Sequence, residues 1–186
     1  MLPARGAKIT GVRKATRRPG VMVMRRRRRP RGFVIHRPAA GNVQGVTSDV
    51  DLPITGGCGC GAVRFEIDAP LQSALYCHCT RCQHRSGTAA AASARSAPGS
   101  VRVLSGQGHM RRWLPEGGLA KDFCGDCGSA LFASDPESGE VMVVRFGAFD
   151  DDPGIRPSVR QFTAYAAPWE PIPDDGLPRF PERLPH

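Results

Sequence analysis

The residues best suited to chemistry in this sequence are seven cysteines, all between positions 58 and 127. They fall into C-x-C and C-x-x-C pairs, a spacing typical of metal sites and not of a disulfide framework. Thiolate sulfur is a preferred ligand of zinc, so we expect a zinc protein. Thiols that bind metal must stay reduced, so we expect a cytoplasmic location. In chain order the cysteines are Cys58, Cys60, Cys77, Cys79, Cys82, Cys124 and Cys127.

Two cysteine turns, at 56–61 and 123–128, each run directly into a predicted strand. Glycines beside the cysteines allow a tight turn that points both sulfurs of a pair at one ion. Structural zinc takes four such ligands in a tetrahedron, so the two turns together predict a closed site. We expect the domain to unfold when the metal of this site is removed. The alternative is four unligated or adventitiously oxidised cysteines. The four ligands are Cys58, Cys60, Cys124 and Cys127.

The other three cysteines, Cys77, Cys79 and Cys82, lie within six residues. Three protein ligands leave one tetrahedral position for water or substrate, which distinguishes catalytic from structural zinc. Zinc with three thiolates is a weak Lewis acid toward a carbonyl but still a good partner for soft sulfur. A coordinated thiol is deprotonated, and the thiolate is the nucleophilic form. These three residues therefore predict an open, catalytic zinc that activates or holds a thiol, the second zinc of the chain.

Several basic side chains accompany the open site. His78 is predicted to transfer a proton, and the alternative is that it completes a Cys₃His structural site. Neighbouring residues seldom reach one metal with good geometry, which favours the open site. Arg81, His84 and Arg85 are candidates for offsetting the charge of the thiolates or for holding a substrate carboxylate, and otherwise are ordinary exposed bases.

The hydrophobic pattern after residue 50 is that of short strands bounded by glycine and proline. Val63, Phe65 and Ile67 alternate with charged residues, which predicts a half-buried strand. The alanine-rich stretch 88–95 is interpreted as a strand despite its helix propensity. The sequence therefore predicts a mainly β fold with a short helical turn near the open site. Further strands are expected over 100–104, 129–133, 141–146, which should be central, and 159–164.

Charge is divided sharply along the chain. Residues 1–50 hold 13 of the 26 Lys and Arg and a single acid, so a segment of net charge +12 precedes a body of −3. Its prolines, glycines and lack of apolar periodicity predict a disordered basic, Arg-rich arm. The arm is read as a solvated tail, an upstream translation start, a transit peptide, or a nucleic-acid or membrane-surface attachment. The zinc domain is predicted over 51–181, followed by a tail at 182–186.

Three motifs occur together in one order. They are G-G-C-x-C-G-x-V-R-F-E at 56–66, C-H-C-x-x-C at 77–82, and F-C-x-x-C-G-S at 123–129. This combination resembles the glutathione-dependent formaldehyde-activating enzymes, also called the centromere-protein-V/GFA family, over about 52–181. Further matches are Ser86, Gly87, Leu131, Gly147, Phe149-Asp150-Asp151, Trp169 and the D-G-L-P-R-F run at 175–180.

The resemblance implies a fold and a reaction. In the family, cysteines matching the two turns hold a structural zinc, and those matching the central triplet hold a second zinc that glutathione sulfur approaches. The family fold is a β-tent of small antiparallel sheets pinned by the structural metal. The family reaction condenses formaldehyde with glutathione to S-hydroxymethylglutathione and is classed, in reverse, as a carbon–sulfur lyase.

This sequence departs from the family after the open site. Many members carry a second arginine and then aromatic residues, where this chain has Gln83-His84 and the alanines 89–92. Smaller side chains there predict a wider pocket beside the metal. The zinc chemistry of the family is therefore a safer inference for this chain than the substrate of the family.

Three function hypotheses follow from these patterns. The first is a zinc enzyme that adds a thiol, such as glutathione, to a small aldehyde, such as formaldehyde; a non-catalytic thiol or aldehyde carrier is its nearest alternative. The second is a zinc-stabilised binding module whose arm 1–50 engages nucleic acid. The third makes both zinc sites structural. No apolar run approaches the ~20 residues of a membrane span, so no membrane partner is expected.

Overall fold

The computed structural model describes residues 50–185. The predicted arm 1–50 therefore lies outside the described residues except for Val50. The described chain is mainly β, with two sheets and one short helix beside Cys82, and the predicted fold class is confirmed. The strands are β1 Ile54–Gly57, β2 Arg64–Ile67, β3 Ser73–Cys77, β4 Ala91–Arg95, β5 Val101–Ser105, β6 Met110–Trp113, β7 Ala120–Cys124, β8 Ala130–Ser134, β9 Val141–Arg145, β10 Arg160–Gln161 and β11 Arg179–Phe180; the helix is α1 Thr80–Ser86, and 3-10 turns occupy Gln107–His109, Phe146–Ala148 and Thr163–Tyr165.

The strands form one small and one large sheet. The small sheet has the order β1-β2-β5 and is antiparallel. The large sheet has the order β11-β10-β3-β4-β9-β8-β7-β6, so β9 is central, as its apolar sequence predicts. Within this sheet β10 pairs in parallel with both β3 and β11, which the expectation of purely antiparallel pairing did not include.

Two strand predictions differ from the structure in length. The stretch 88–95 becomes a strand only from Ala91, where pairing with β3 and β9 on either side overrides the helix propensity of alanine. The stretch 159–164 becomes a strand only over Arg160–Gln161. Phe162 has φ of 59°, a left-handed conformation that ends the strand and starts a 3-10 turn.

The core lies between the two sheets. Phe65 of β2 and Phe132 of β8 are fully buried and meet edge to face, with ring centroids 4.9 Å apart. Val63, Leu131 and Val144 complete the apolar centre, and the sulfur-bearing Cys58 and Cys124 belong to the same cluster. Truncating either phenylalanine to alanine would cost about 3–5 kcal/mol. The cysteine turns are therefore joined to the main core.

The residues predicted as a C-terminal tail contact the large sheet. The Phe162 amide donates to the Glu182 carbonyl at 3.0 Å, and the Leu184 amide donates to Gln161 Oε1 at 3.4 Å. Tyr165 donates its hydroxyl proton to the Glu182 carboxylate at 3.0 Å. These bonds attach residues 182–184 to β10 and to the 3-10 turn that follows it.

None of the helices formed by residues 50–185 has the length and apolar character needed to cross a bilayer.

The close approach of β1 to its neighbours generates a stability prediction. A Cβ added to Gly56 would overlap the Ala148 carbonyl oxygen and the Phe65 ring, and the backbone oxygen has no room to move away. We expect Gly56→Ala to lower the free energy of unfolding by more than about 2 kcal/mol. Gly108→Ala is the control, since its Cβ meets nothing within 4 Å and the change should stay within about 0.5 kcal/mol. Equal denaturation midpoints for both variants would contradict this packing.

Candidate metal centres

The first cysteine cluster joins the two sheets. Cys58 and Cys60 lie in the turn between β1 and β2, while Cys124 ends β7 and Cys127 lies in the turn before β8. The four Sγ atoms all lie within 4.8 Å of one another. Cys60 Sγ is 3.4 Å from Cys58 Sγ and 3.8 Å from Cys124 Sγ. The structure thus brings together the four cysteines predicted as one ligand set.

Hydrogen bonds hold the two turns of this cluster in place. The Val63 amide donates to Cys58 Sγ at 3.2 Å, and the Gly59 amide donates to Ser129 Oγ at 2.9 Å across the two turns. Ser129 also bonds Cys127 Sγ at 3.2 Å. The side-chain and backbone hydrogen bonds of Ser129 lower the pKa of the Cys127 thiol to about 6. Ser129 therefore favours the thiolate form of Cys127, the form that binds metal.

The second cluster is built where β3 meets α1. Cys77 is the last residue of β3, and Cys79 is the N-cap of α1. The Sγ atom of Cys79 accepts a hydrogen bond from the Cys82 amide at 3.4 Å. Cys77 and Cys82 are buried and Cys79 is half-buried. The three Sγ atoms lie within 4.8 Å of one another. One strand end and the first turn of one helix therefore gather all three predicted ligands.

Both clusters fit a zinc ion by donor type and spacing. Four sulfurs at the Zn–S bond length of a tetrahedral site lie about 3.8 Å apart. The sulfur pairs recorded in the two clusters lie 3.4, 3.5 and 3.8 Å apart. No carboxylate belongs to either cluster, so the donor sets are purely sulfur. Both cysteine clusters are thus suited to hold a metal ion, in agreement with the predicted zinc.

Protons are shared unequally within the three-cysteine cluster. Hydrogen bonds from the Cys77 and Cys79 thiols, helped by Arg145 and Lys121, lower the pKa of Cys82 to about 2. Hydrogen bonds with the Cys79 and Cys82 thiols raise the pKa of Cys77. One of the three sulfurs is therefore a thiolate even before the others lose their protons, and it is the one beside the cationic side chains.

His78 lies beside the three-cysteine cluster but faces a different set of partners. Its side chain is 3% exposed, and Nε2 accepts a hydrogen bond from Arg160 Nη1 at 3.3 Å. Arg160 in turn lies over the Tyr76 ring and forms an ion pair with Asp175. Burial, followed by the charge of Arg160, lowers the pKa of His78, so the ring is neutral with its proton on Nδ1. Nδ1 has no hydrogen-bond partner among the described residues.

A cavity of about 480 Å³ opens beside Cys82 and extends to Cys127 of the first cluster. Ala90, Ala91 and Ala92, three residues of the alanine run 89–92, line it. Its volume is in the range of small-molecule sites. The polar lining includes Arg85, which the sequence suggested, and Arg145, which it did not.

The other basic residues near the motif are placed away from the sulfurs. Arg81 donates from Nη1 to the Gly117 carbonyl and from Nη2 to the Glu116 carbonyl, each at 3.0 Å, and so fastens α1 to the loop before β7. His84 is exposed. The cations whose charges lower the pKa of Cys82 are Arg145 and Lys121, on β9 and β7. Only the alternation of polar and apolar residues in those strands could have indicated that they share a face.

Comparisons with known proteins relate this chain to one family. The family model described as "Glutathione-dependent formaldehyde-activating enzyme" matches residues 53–165. The "Putative glutathione-dependent formaldehyde-activating enzyme" of Halomonas elongata is 31% identical over 105 residues, which are 53% of this chain and 67% of that protein. A crystal structure of a Rhodobacter sphaeroides protein is 23% identical with a TM-score of 0.43, over 68% of this chain and 99% of that one. This chain belongs to the glutathione-dependent formaldehyde-activating enzyme family.

Proposed function

We propose that this chain is a zinc-dependent enzyme that binds a thiol co-substrate, glutathione or a similar thiol, at Cys77, Cys79 and Cys82 and adds it to a small aldehyde such as formaldehyde. The family membership supports the substrate pair. The observation that carries the proposal is a cluster of only three sulfurs, one of which, Cys82, borders a cavity of about 480 Å³. The reducing compartment that such thiols need leads us to propose a cytoplasmic location.

The reaction forms one bond and moves one proton. The thiol sulfur bonds to the carbonyl carbon, the carbonyl π bond breaks, and the proton lost by the thiol ends on the new hydroxyl oxygen. A metal held by the three cysteines would keep the thiol co-substrate in its nucleophilic thiolate form. The reverse reaction cleaves a carbon–sulfur bond, which makes the proposed activity that of a carbon–sulfur lyase.

The chain's own residues position this chemistry. The N-cap bond from Cys82 to Cys79 fixes the first turn of α1, so two ligands hold a constant spacing. The small side chains of Ala91 and Ala92 leave room beside Cys82 for both reactants. The catalytic role of His78 stays a prediction: the neutral ring cannot give up its Nδ1 proton without becoming an imidazolate, so it would donate only a hydrogen bond, and water would supply the proton.

The other four cysteines are proposed to hold a structural zinc, and paired variants distinguish the two roles. Cys124→Ser and Cys79→Ser should each reduce the metal content by about one zinc per chain. Only Cys124→Ser should lower the free energy of unfolding by more than about 4 kcal/mol, because Cys124 is buried in the core between the sheets. Cys79 is half-buried at the start of a helix, so its variant should stay folded.

Metal analysis and chemical denaturation measure both effects. Similar losses of stability in the two variants would show that both sites are structural and would contradict the open site.

Sulfur coordination tests the thiol-binding step. One closed and one open site give an average of about 3.5 sulfur neighbours per zinc, which glutathione should raise to about 4 in an X-ray absorption spectrum. The control Cys79→Ser retains only the closed site and should give about 4 with and without glutathione. An average that does not change in the unmodified protein would overturn thiol binding at the metal.

Turnover separates an enzyme from a carrier. Formaldehyde and thiols combine without a catalyst, so the rate of S-hydroxymethylglutathione formation must exceed the uncatalysed rate and fall to it in Cys79→Ser. Saturable glutathione binding without acceleration would reject catalysis and support the carrier. The nucleic-acid hypothesis depends on the predicted arm 1–50 and stays a prediction.

A further inference from the structure

Two cations, Arg85 and Arg145, line the cavity beside Cys82, and a third, Lys121, lies on the same face of the sheet as Arg145. In the register of the large sheet, Lys121 of β7 pairs with Ala133 of β8, and Ala133 pairs with Val143 of β9. Arg145 follows Val143 by two residues on β9. Successive residues of a strand alternate between faces, so Lys121 and Arg145 project from the same face of the large sheet. Arg85 reaches the same region from α1, and with Arg145 it lines the cavity.

These cations have no acidic partner among residues 50–185. The ion pairs of that part of the chain include none of Arg85, Lys121 or Arg145. The nearest candidate, the Asp122 carboxylate, is bonded instead to Arg112 and Ser134. Arg85 reaches only the Asp122 backbone carbonyl, at 3.1 Å. Half-buried positive charge is therefore left without a protein counter-ion.

The guanidinium of Arg145 has an open hydrogen-bonding edge. Its Nη1 donates to Ser93 Oγ at 2.6 Å. Its Nε is buried and has no partner, and no described residue accepts from Nη2. Buried donors are almost always satisfied. The Nε–Nη2 edge is the side by which arginine takes a carboxylate with two parallel hydrogen bonds.

The sulfur cluster does not account for all of this charge. Zinc with three thiolates carries one net negative charge, and a thiolate co-substrate would add a second. Arg85, Lys121 and Arg145 supply three positive charges, so at least one remains. Burial, followed by the charge of Arg145, lowers the pKa of Lys121.

We propose that the cavity beside Cys82 binds the carboxylate group of a co-substrate, with Arg145 as its bidentate ligand and Arg85 and Lys121 beside it. This inference rests on the proposed function, because it names the chemical class of the molecule that the open cluster acts on. The carboxylate belongs to the thiol or to the carbonyl compound, and the two sources are separated experimentally.

Affinity for paired thiols tests the site on the zinc-loaded full chain. The probes are 3-mercaptopropionate, which carries a carboxylate, and 2-mercaptoethanol, which does not, titrated by calorimetry. If the thiol brings the carboxylate, 3-mercaptopropionate should bind about 10-fold tighter, the size expected of a charged hydrogen-bonded pair. Arg145→Gln should remove this preference, so that the ratio of the two affinities falls to about one.

Two further variants guard the interpretation. Arg102→Gln removes the same charge from the small sheet, where Arg102 pairs with Glu66, and should keep the full preference. Arg85→Gln changes a residue of the short helix and should weaken the preference even if Arg145→Gln fails to fold.

Affinity for paired aldehydes identifies the other source. Glyoxylate carries a carboxylate and acetaldehyde does not, and both are titrated into the unmodified protein and Arg145→Gln. Preference for glyoxylate that Arg145→Gln abolishes would assign the carboxylate to the carbonyl compound. The site is overturned if neither pair shows a carboxylate preference, or if every preference survives Arg145→Gln. Failure of both thiols to bind would instead reject the proposed function, and the aldehyde pair would still test the cavity.

Discussion

Two turns that are 64 residues apart in sequence meet through four sulfur atoms, and much of the structure depends on that meeting. One turn belongs to the small sheet and the other to the large sheet, so a metal at this point joins the two sheets at their hairpin ends. The apolar core alone is modest, with Phe65 and Phe132 as its only fully buried aromatic side chains among the described residues. A metal held by the four sulfurs would add a cross-link to this modest core.

The three-cysteine cluster obeys a different constraint, because all its ligands come from one short stretch of chain. The end of β3 and the N-cap of α1 set their spacing locally, and the remaining support comes from the edge of the large sheet. Arg160 connects that edge to His78 and Asp175. The cluster is therefore held from one side and open on the other, where Cys82 borders the cavity.

Cysteine spacing made the ligand sets predictable from sequence. Each turn carries its own pair of sulfurs, and glycines such as Gly59 and Gly61 beside them limit the backbone to conformations that bring both to one ion. The mainly β fold was predictable for a similar reason, since alternation in strands such as β2 is a local signal. Metal sites whose ligands are paired within single turns can therefore be predicted from sequence without knowledge of the tertiary contacts.

The cationic residues of the cavity were not predictable in the same way. Lys121 and Arg145 lie 39 and 63 positions after Cys82, and only the strand register places them on the face above which α1 packs. The early end of β10 depends on the left-handed backbone of Phe162, which no composition rule indicates for a phenylalanine. Parallel pairing of β10 with β3 and β11 likewise arises from long-range contacts.

The cavity connects the two clusters physically. Its wall on one side includes Cys127, Gly128 and Ser129, which belong to the turn of the four-cysteine cluster. Ser129 bonds both Cys127 Sγ and the Gly59 amide, so the position of this wall depends on the cross-link between the sheets. A metal held by the four cysteines would therefore also shape the space beside Cys82. A change in the closed cluster would alter the substrate cavity without touching any ligand of the open one.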